Sequence, residues 1–342
     1  MKKRPTMDDV ATEAGVSQAT VSMVLNRAHE GRVSSETTER VLAAAQRLNY
    51  RTNVHAKVLR EGKSRMLGLV GAEVATSPFA GAMILGAQQQ AWEAGYVLLT
   101  VDTAGDPRLE QAAIEMMASY RVSGVLYAGM YHQVLEVPRA LAGTPVVVVN
   151  SQDVSGRATS IFPDEVAGGR EAASLLYDAG HRRIAMINIA ERDSTLPAAS
   201  GRLEGFLSVL DVRGVSAARE LVRWGDGTYE SGLAHTLELM SLPEPPTAIF
   251  CGNDRTALGT YRAALELGLS IPEDLSVVGF DDQEILSTIF RPRLATFRLP
   301  HEEMGRLGVD TLLGRATAGQ RVAVHCSLTS HTDSVGPAKV LA

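Results

Sequence analysis

The chain has 342 residues, 45% apolar and 21% charged, an ordinary globular composition with enough length for more than one core. A net charge of −6 argues against wholesale coating of nucleic acid, yet residues 1–63 hold 11 Lys and Arg against 7 Asp and Glu while the remainder holds 22 against 32, a basic end on an acidic body that suits contact with a polyanion at that end alone. Two scattered cysteines, Cys251 and Cys326, exclude a disulfide framework, and with no apolar export segment after MKKRP and no run near the ~18 apolar residues of a membrane span, the expectation is a cytoplasmic protein.

Three helices open the chain. Thr6 caps a helix through Met7–Ala14, with Asp8 and Asp9 in its first turn, where the helix dipole favours anions, and Gly15 ends it. Ser17 caps a second helix over QATVSMVLN. Val16, Val21, Val24 and Leu25 line one face of it; Ser17, Gln18, Thr20 and Met23 line the other, uncharged and mostly small. A helix that merely faces solvent usually carries Lys and Glu there. Ser34 caps a third helix, whose Val41, Ala44, Ala45 and Leu48 recur at helical spacing. Three short helices with Gly at the first turn fit a helix-turn-helix unit over residues 1–51.

Residues 52–64 form a linker. Asn53 can cap a short helix that Gly62 ends; Ala56 and Leu59 share a face, ringed by Lys57, Arg60 and Lys63. One or two turns are too short to be stable alone, so this segment is expected to fold only against a partner.

From Met66 the pattern alternates. The apolar runs MLGLVG (66–71), YVLLTV (96–101), GVLYAG (124–129), PVVVVN (145–150), RIAMINI (183–189), AIFCGN (248–253) and LSVVGF (275–280) are separated by helical patterns. Such unalternating runs predict parallel strands covered on both faces, a doubly wound α/β body over 65–342. Breaks in rhythm at SIFPDE and at Phe290-Arg291-Pro292-Arg293 divide it into a first lobe of about 65–161 plus 292–320 and a second of about 162–291 plus 321–334. Ligands of open α/β sheets sit at the carboxyl ends of the strands, here a cleft between the lobes. No His/Cys/Asp cluster has metal spacing, and no phosphate loop, dinucleotide fingerprint or nucleophile elbow follows a strand, so neither catalytic residues, nor a metal, nor a cofactor is expected.

In order and spacing these segments resemble the lactose-repressor (LacI/GalR) family of bacterial transcription regulators over nearly the whole chain. The strings that carry the resemblance are TMDDVATEAGVSQATVSMVLN, VSSETTERVLAAAQRLNY, NVHAKVLREGKS, DEVAGGR, GHRRIA, GRLEGF, CGNDRTALG, IPEDLSVVGFDD and LPHEEMG. The resemblance implies a helix-turn-helix headpiece, a hinge helix and a two-lobed body like a periplasmic binding protein. It implies that Gln18, Ala19 and Met23 read base edges in the major groove, where Gln pairs with adenine and Ala and Met meet a thymine methyl. Ser17, Thr20 and Ser22 are placed for phosphates or caps, and Thr6, Asn26, Asn53, His55 and Ala56 complete the DNA-contacting set. Leu59 is implied as a wedge for a minor-groove step, against its reading as an ordinary linker residue. Many relatives have Arg where this chain has Met23, which alters the operator expected.

For the cleft the resemblance implies Arg202, Asn253 and Asp281 as polar ligand contacts, Phe79, Tyr127 and Trp224 as stacking surfaces, and Asp164 at the crossover. Asn253 has an alternative reading as a helix cap, and Phe79 reads equally as core. The function implied is a homodimeric regulator, acting as a repressor of carbohydrate-utilisation genes on near-palindromic double-stranded DNA, controlled by a small effector, with a sugar first and a purine as the alternative. The tail HTDSVGPAKVLA carries no leucine heptad that would build a tetramer. Two rivals remain, a solute receptor without a DNA role and an enzyme on a doubly wound fold.

Overall fold

The computed structural model describes residues 5–25, 32–50, 64–73, 80–315 and 321–338. Asn26, Asn53, His55, Ala56, Leu59 and Phe79, and with them the expected hinge helix, lie outside the described residues. The chain divides into two compact units, Met1–Ser64 and Arg65–Ala342.

In the first unit, α1 (Met7–Ala14), α2 (Gln18–Leu25) and α3 (Ser35–Arg47) begin where local chemistry starts them. The Thr6 hydroxyl accepts from Asp9 N at 3.3 Å while the Asp9 carboxylate accepts from Thr6 N at 2.7 Å, a reciprocal capping box. Gly15 ends α1 at φ 65° in the left-handed region, which only Gly enters without penalty. Ser17 and Ser34 accept from Thr20 N and Thr37 N, each at 3.2 Å. Val10, Val21, Val24, Val41 and Ala44 are buried together, so the apolar faces of all three helices meet in one small core.

The second unit holds two six-stranded sheets. The first contains β1 (Met66–Gly71), β2 (Val97–Asp102), β3 (Val125–Leu135), β4 (Val146–Asp153), β5 (Thr159–Pro163) and β11 (Arg321–Val324), in the order β2-β1-β3-β4-β5-β11, all parallel. The second contains β6 (Ile184–Asn188), β7 (Val222–Trp224), β8 (Ala248–Cys251), β9 (Ser276–Asp281), β10 (Ala295–Arg298) and β12 (Ser327–Leu328), in the order β7-β6-β8-β9-β10-β12, with only the last pair antiparallel. The helices are α4 (Ala80–Glu93), α5 (Pro107–Ser119), α6 (Glu165–Asp178), α7 (Pro197–Val212), α8 (Tyr229–Met240), α9 (Asp254–Glu266), α10 (Glu284–Ser287) and α11 (His301–Leu312). Successive residues of β6 and β8 are all buried, which explains their unbroken apolar runs.

Strand pairing corrects the lobe boundaries. β10 pairs with β9, Ala295 against Val278, so residues 295–298 stay in the second lobe and the chain crosses at Leu299–Pro300 rather than at 292. β11 pairs with β5, Val322 against Ile161, so residues 321–324 belong to the first lobe, not the second. β5 carries the first lobe to Pro163. These strands are too short for periodicity to mark, and their place depends on backbone partners far along the chain.

Three helix pairs touch backbone to backbone through reciprocal glycines. An added Cβ would fall 2.1 Å from Glu302 O at Gly86 and 2.1 Å from Met83 O at Gly305, where α4 meets α11. The same holds between α6 and α7, where Gly169 faces Arg202 O at 2.1 Å and Gly205 faces Val166 O at 2.1 Å. Between α8 and α9, Gly232 faces Thr256 O and Gly259 faces Tyr229 O, each at 2.2 Å. Backbone carbonyls cannot give way as a flexible side chain does. Gly205→Ala is therefore expected to destabilise the protein by about 1–3 kcal/mol through overpacking. Gly81→Ala, where nothing lies within 4 Å, is expected to hold or raise the thermal midpoint. Parallel melting curves of the two variants check this.

Candidate DNA-reading helix and ligand cleft

On α2 the side chains of Ser17, Gln18 and Ala19 are exposed, and Thr20, Ser22 and Met23 are half-buried. No charged residue occurs from Val16 through Leu25. Ser17 Oγ also lies 2.9 Å from Thr20 Oγ1, so both hydroxyls serve the start of the helix. Thr6 likewise has its hydroxyl in its own cap, donating to Asp9 at 2.8 Å. That leaves Gln18 and Ala19, with the flank of Met23, as an exposed, uncharged edge.

In the second unit the carboxyl ends of the second-lobe strands gather a polar set. Arg202, on α7 and 3% exposed, donates through Nε to Glu165 Oε2 at 2.7 Å and through Nη2 to Oε1 at 3.3 Å. Its Nη1 donates to Gly252 O at 2.5 Å, and its guanidinium lies 4.0 Å from the Phe280 ring centroid. Burial alone pushes the Glu165 carboxyl up; the charge and hydrogen bonds of Arg202, with those of His132, outweigh it and hold Glu165 below the usual range. Across the lobe boundary, His132 near the end of β3 stacks on Phe162 at 4.8 Å and sets Nδ1 3.4 Å from Glu165 Oε1.

Asp281, at φ 93°, accepts from Asp254 N at 3.2 Å and from Gln283 Nε2 at 2.9 Å. Asp254 is wholly buried, its carboxylate accepting from Thr296 Oγ1 at 2.6 Å and Gln283 N at 2.9 Å. Burial pushes Asp281 up to about 6 against the pull of Arg202, and burial together with the Asp281 charge raises Asp254 well above the carboxylate range. His301, also buried, is pushed down to about 4 and is uncharged at neutral pH.

The remaining expected residues divide. Asn253 caps α9, accepting from Thr256 N at 2.8 Å and donating to Gly227 O at 2.9 Å, so the amide's first role is structural. Asp164 caps α6 through Ala167 N at 2.9 Å, and its own N–H ties to Val324 O of β11 at 2.8 Å. Trp224 lies on edge strand β7, with the Arg192 guanidinium 5.7 Å from its ring and a buried Nε1 that makes no hydrogen bond. Tyr127 does not join the set. It shares a strand face with Val125, packs in the cluster containing Val70 and Ile114, and donates to Glu110 of α5 at 2.8 Å. Reading GVLYAG as a run had left its facing open, and strand alternation turns Tyr127 toward α5. Glu165, His132, Asp254 and Phe162 were missed: each gains its importance from a partner distant in sequence. A groove of about 1270 Å³ opens nearby between α4 and α11 on one side and residues 281–298 and 327–331 on the other. It takes in Asp281 and His301 but not Arg202, Asn253 or Trp224.

Residues 6–53 match the model of bacterial regulatory proteins of the lacI family, and residues 173–332 match a periplasmic binding protein-like domain. The chain is 32% identical over 314 residues to the ribose operon repressor of Escherichia coli K12, covering 91% of this chain and 93% of that protein. It is 33% identical over 317 residues to the repressor PurR of Pectobacterium carotovorum, covering 92% and 91%. The chain belongs to the LacI family. Among solved structures, the lac repressor dimer bound to operator and the anti-inducer ONPF matches with a TM-score of 0.78 at 29% identity, over 98% of this chain and 100% of that one. The complex of the regulator CelR with cellobiose matches with a TM-score of 0.65 at 29% identity, over 96% and 100%. As a family member the chain is a DNA-binding transcriptional regulator whose body takes a small-molecule effector.

The raised value of Asp281 has a direction in stability. Its carboxyl is easier to keep protonated in the fold than the ordinary 3.8 of the free side chain, so its contribution is complete below about 4 and is lost as pH rises through about 6. Asp281→Asn is therefore expected to flatten the fall in stability between those values and to leave the acid end unchanged. Denaturant midpoints across that range check it.

Proposed function

We propose that this LacI-family chain is a homodimeric repressor of carbohydrate-utilisation genes, with operator affinity set by a sugar in the cleft of the second unit. The observation that carries the DNA half is α2, whose exposed edge offers Gln18 and Ala19 without a charge to repel the phosphates or to bind them indiscriminately. Gln18, Ala19 and Met23 read bases, and Thr6, Ser17, Thr20 and Ser22 position the helix. Asn26, Asn53, His55, Ala56 and Leu59 extend the contact through the expected hinge. The sugar reading is supported by relatives named for ribose and cellobiose, and by hydroxyl-matching groups at Arg202 and Asp281. The chain binds and releases; it does not turn over a substrate.

Pairing of two copies is supported by two exposed apolar side chains on α4, Leu85 and Trp92, of which Trp92 is 75% exposed. Beside it runs β2, an edge strand that opens with Val97, 59% exposed. Monomers seldom leave such adjoining apolar side chains in water. Two symmetric heads then suit a near-palindromic site. Ligand and operator are linked reciprocally: whatever loosens DNA binding is itself held less tightly by the DNA complex.

Incubating the full-length protein with fragmented genomic DNA and sequencing what is retained should recover a few near-palindromic sites. Retention without sequence preference overturns the proposal. On a recovered site, Gln18→Ala is expected to cost about 1–3 kcal/mol and to relax preference at one position per half-site, leaving the salt dependence unchanged. Trp92→Asp is expected to shift the protein toward monomer in sedimentation and to weaken operator binding together with it.

A further inference from the structure

Arg202 is read as a ligand contact, and its surroundings decide what kind of ligand it can serve. Nε and Nη2 face the two oxygens of Glu165, Nη1 faces Gly252 O, and Phe280 covers one face of the guanidinium. A guanidinium has five N–H donors, so these three bonds leave two for a ligand. Its charge, in contrast, is already answered by a carboxylate as deeply buried as itself, 3% exposed in each case.

His132 is held between Gln152 and Glu165. Arg321 Nη2 donates to Gln152 Oε1, which makes the other end of that amide a donor. Gln152 Nε2 lies 2.6 Å from His132 Nε2, and His132 Nδ1 faces Glu165 Oε1 at 3.4 Å, so Glu165 opposes any charge on this ring as it opposes Arg202. Two further arginines stand near these strand ends. The charge of Arg255 acts on Asp226 and Asp281, and Arg192 lies over the Trp224 ring.

We propose that Glu165 sets the charge class of the effector: by pairing with Arg202 it makes the cleft select an uncharged, hydroxyl-rich molecule and reject the phosphorylated or carboxylated form of that molecule. An anion entering here gains Arg202 but meets Glu165 and Asp281 in the same low-dielectric surroundings, where an unmatched buried charge is costly. A sugar hydroxyl meets two N–H donors and the Asp281 carboxylate without adding charge. This inference rests on the reading that the cleft holds a small effector and adds the ligand's charge and the residue that decides it.

The test uses full-length wild type, Glu165→Gln and the double variant Glu165→Gln/Arg202→Met, with inorganic phosphate titrated against chloride at constant ionic strength and followed by melting and calorimetry. Phosphate held by the DNA-binding unit is common to all three proteins and cancels. Glu165→Gln, with Arg202 unpaired, is expected to bind phosphate about tenfold more tightly than wild type and to recover lost thermal stability in it. The double variant is expected to lose that gain. Equal phosphate binding by wild type and Glu165→Gln overturns the proposal. If Glu165→Gln does not fold, wild type is compared with the uncharged double variant: extra saturable phosphate binding in wild type overturns the proposal, and equal binding supports it. Matched pairs, D-ribose with its 5-phosphate and D-glucose with its 6-phosphate, are run alongside. Binding of the phosphorylated member alone overturns the charge assignment. Failure of all four to bind counts against the sugar reading while the phosphate comparison still decides the role of Glu165.

Discussion

The second unit depends on how closely its helices approach. At Gly169 and Gly205 the backbones of α6 and α7 touch, and Gly201 lets Glu165 Cβ come within 2.8 Å of where its own Cβ would stand. Helices separated by ordinary side chains would hold Glu165 and Arg202 too far apart for a bidentate pair. Once they are this near, the pair can lie under the cleft with almost no water, because each charge is compensated by the other. The same device recurs in α4 with α11 and in α8 with α9, so each lobe has a rigid layer against which its strand ends are placed.

From that constraint follows the electrostatic character of the cleft. Its groups are numerous but matched: Arg202 with Glu165, Asp254 with the Thr296 hydroxyl and Gln283 N–H, Asp281 with Gln283 and Asp254 N–H. Burial raises the carboxyls of Asp254 and Asp281 and lowers the imidazole of His301, which is uncharged at physiological pH. Helix α2 presents the opposite case. It carries no charge at all along its exposed edge and leaves attraction to the basic segment around it. The exposed edge of α2 is free of charge, whereas the strand ends of the second lobe carry charges that are paired.

Much of the fold was legible because its signals are local. Thr6, Ser17 and Ser34 announce helix starts through side chains that reach their own backbone, and Gly15 announces a stop. The strands at 66–71, 248–251 and 276–281 show as unbroken apolar runs because both faces are covered. The short strands β7, β10, β11 and β12 were not legible, being two to four residues long and held by neighbours remote in sequence. In the site, resemblance pointed to Arg202 and Asp281, but not to Glu165, which is 37 positions from Arg202, nor to His132 on the other lobe. Asn253 proved first a cap, a role that its place before DRTALG already allowed. Tyr127 was misplaced because an apolar run does not say which way each side chain points.

Residue order alone thus determined the helix-turn-helix unit with its caps, the succession of buried strands and helices, the basic end on an acidic body, and the family, since each is written in neighbouring residues or in the spacing of short strings. Tertiary structure decided where the chain crosses between lobes, which face Tyr127 occupies, and which carboxylate answers Arg202. Those outcomes depend on backbone contacts between helices and on hydrogen bonds between strands far apart along the chain, and no local pattern encodes a distance of that kind.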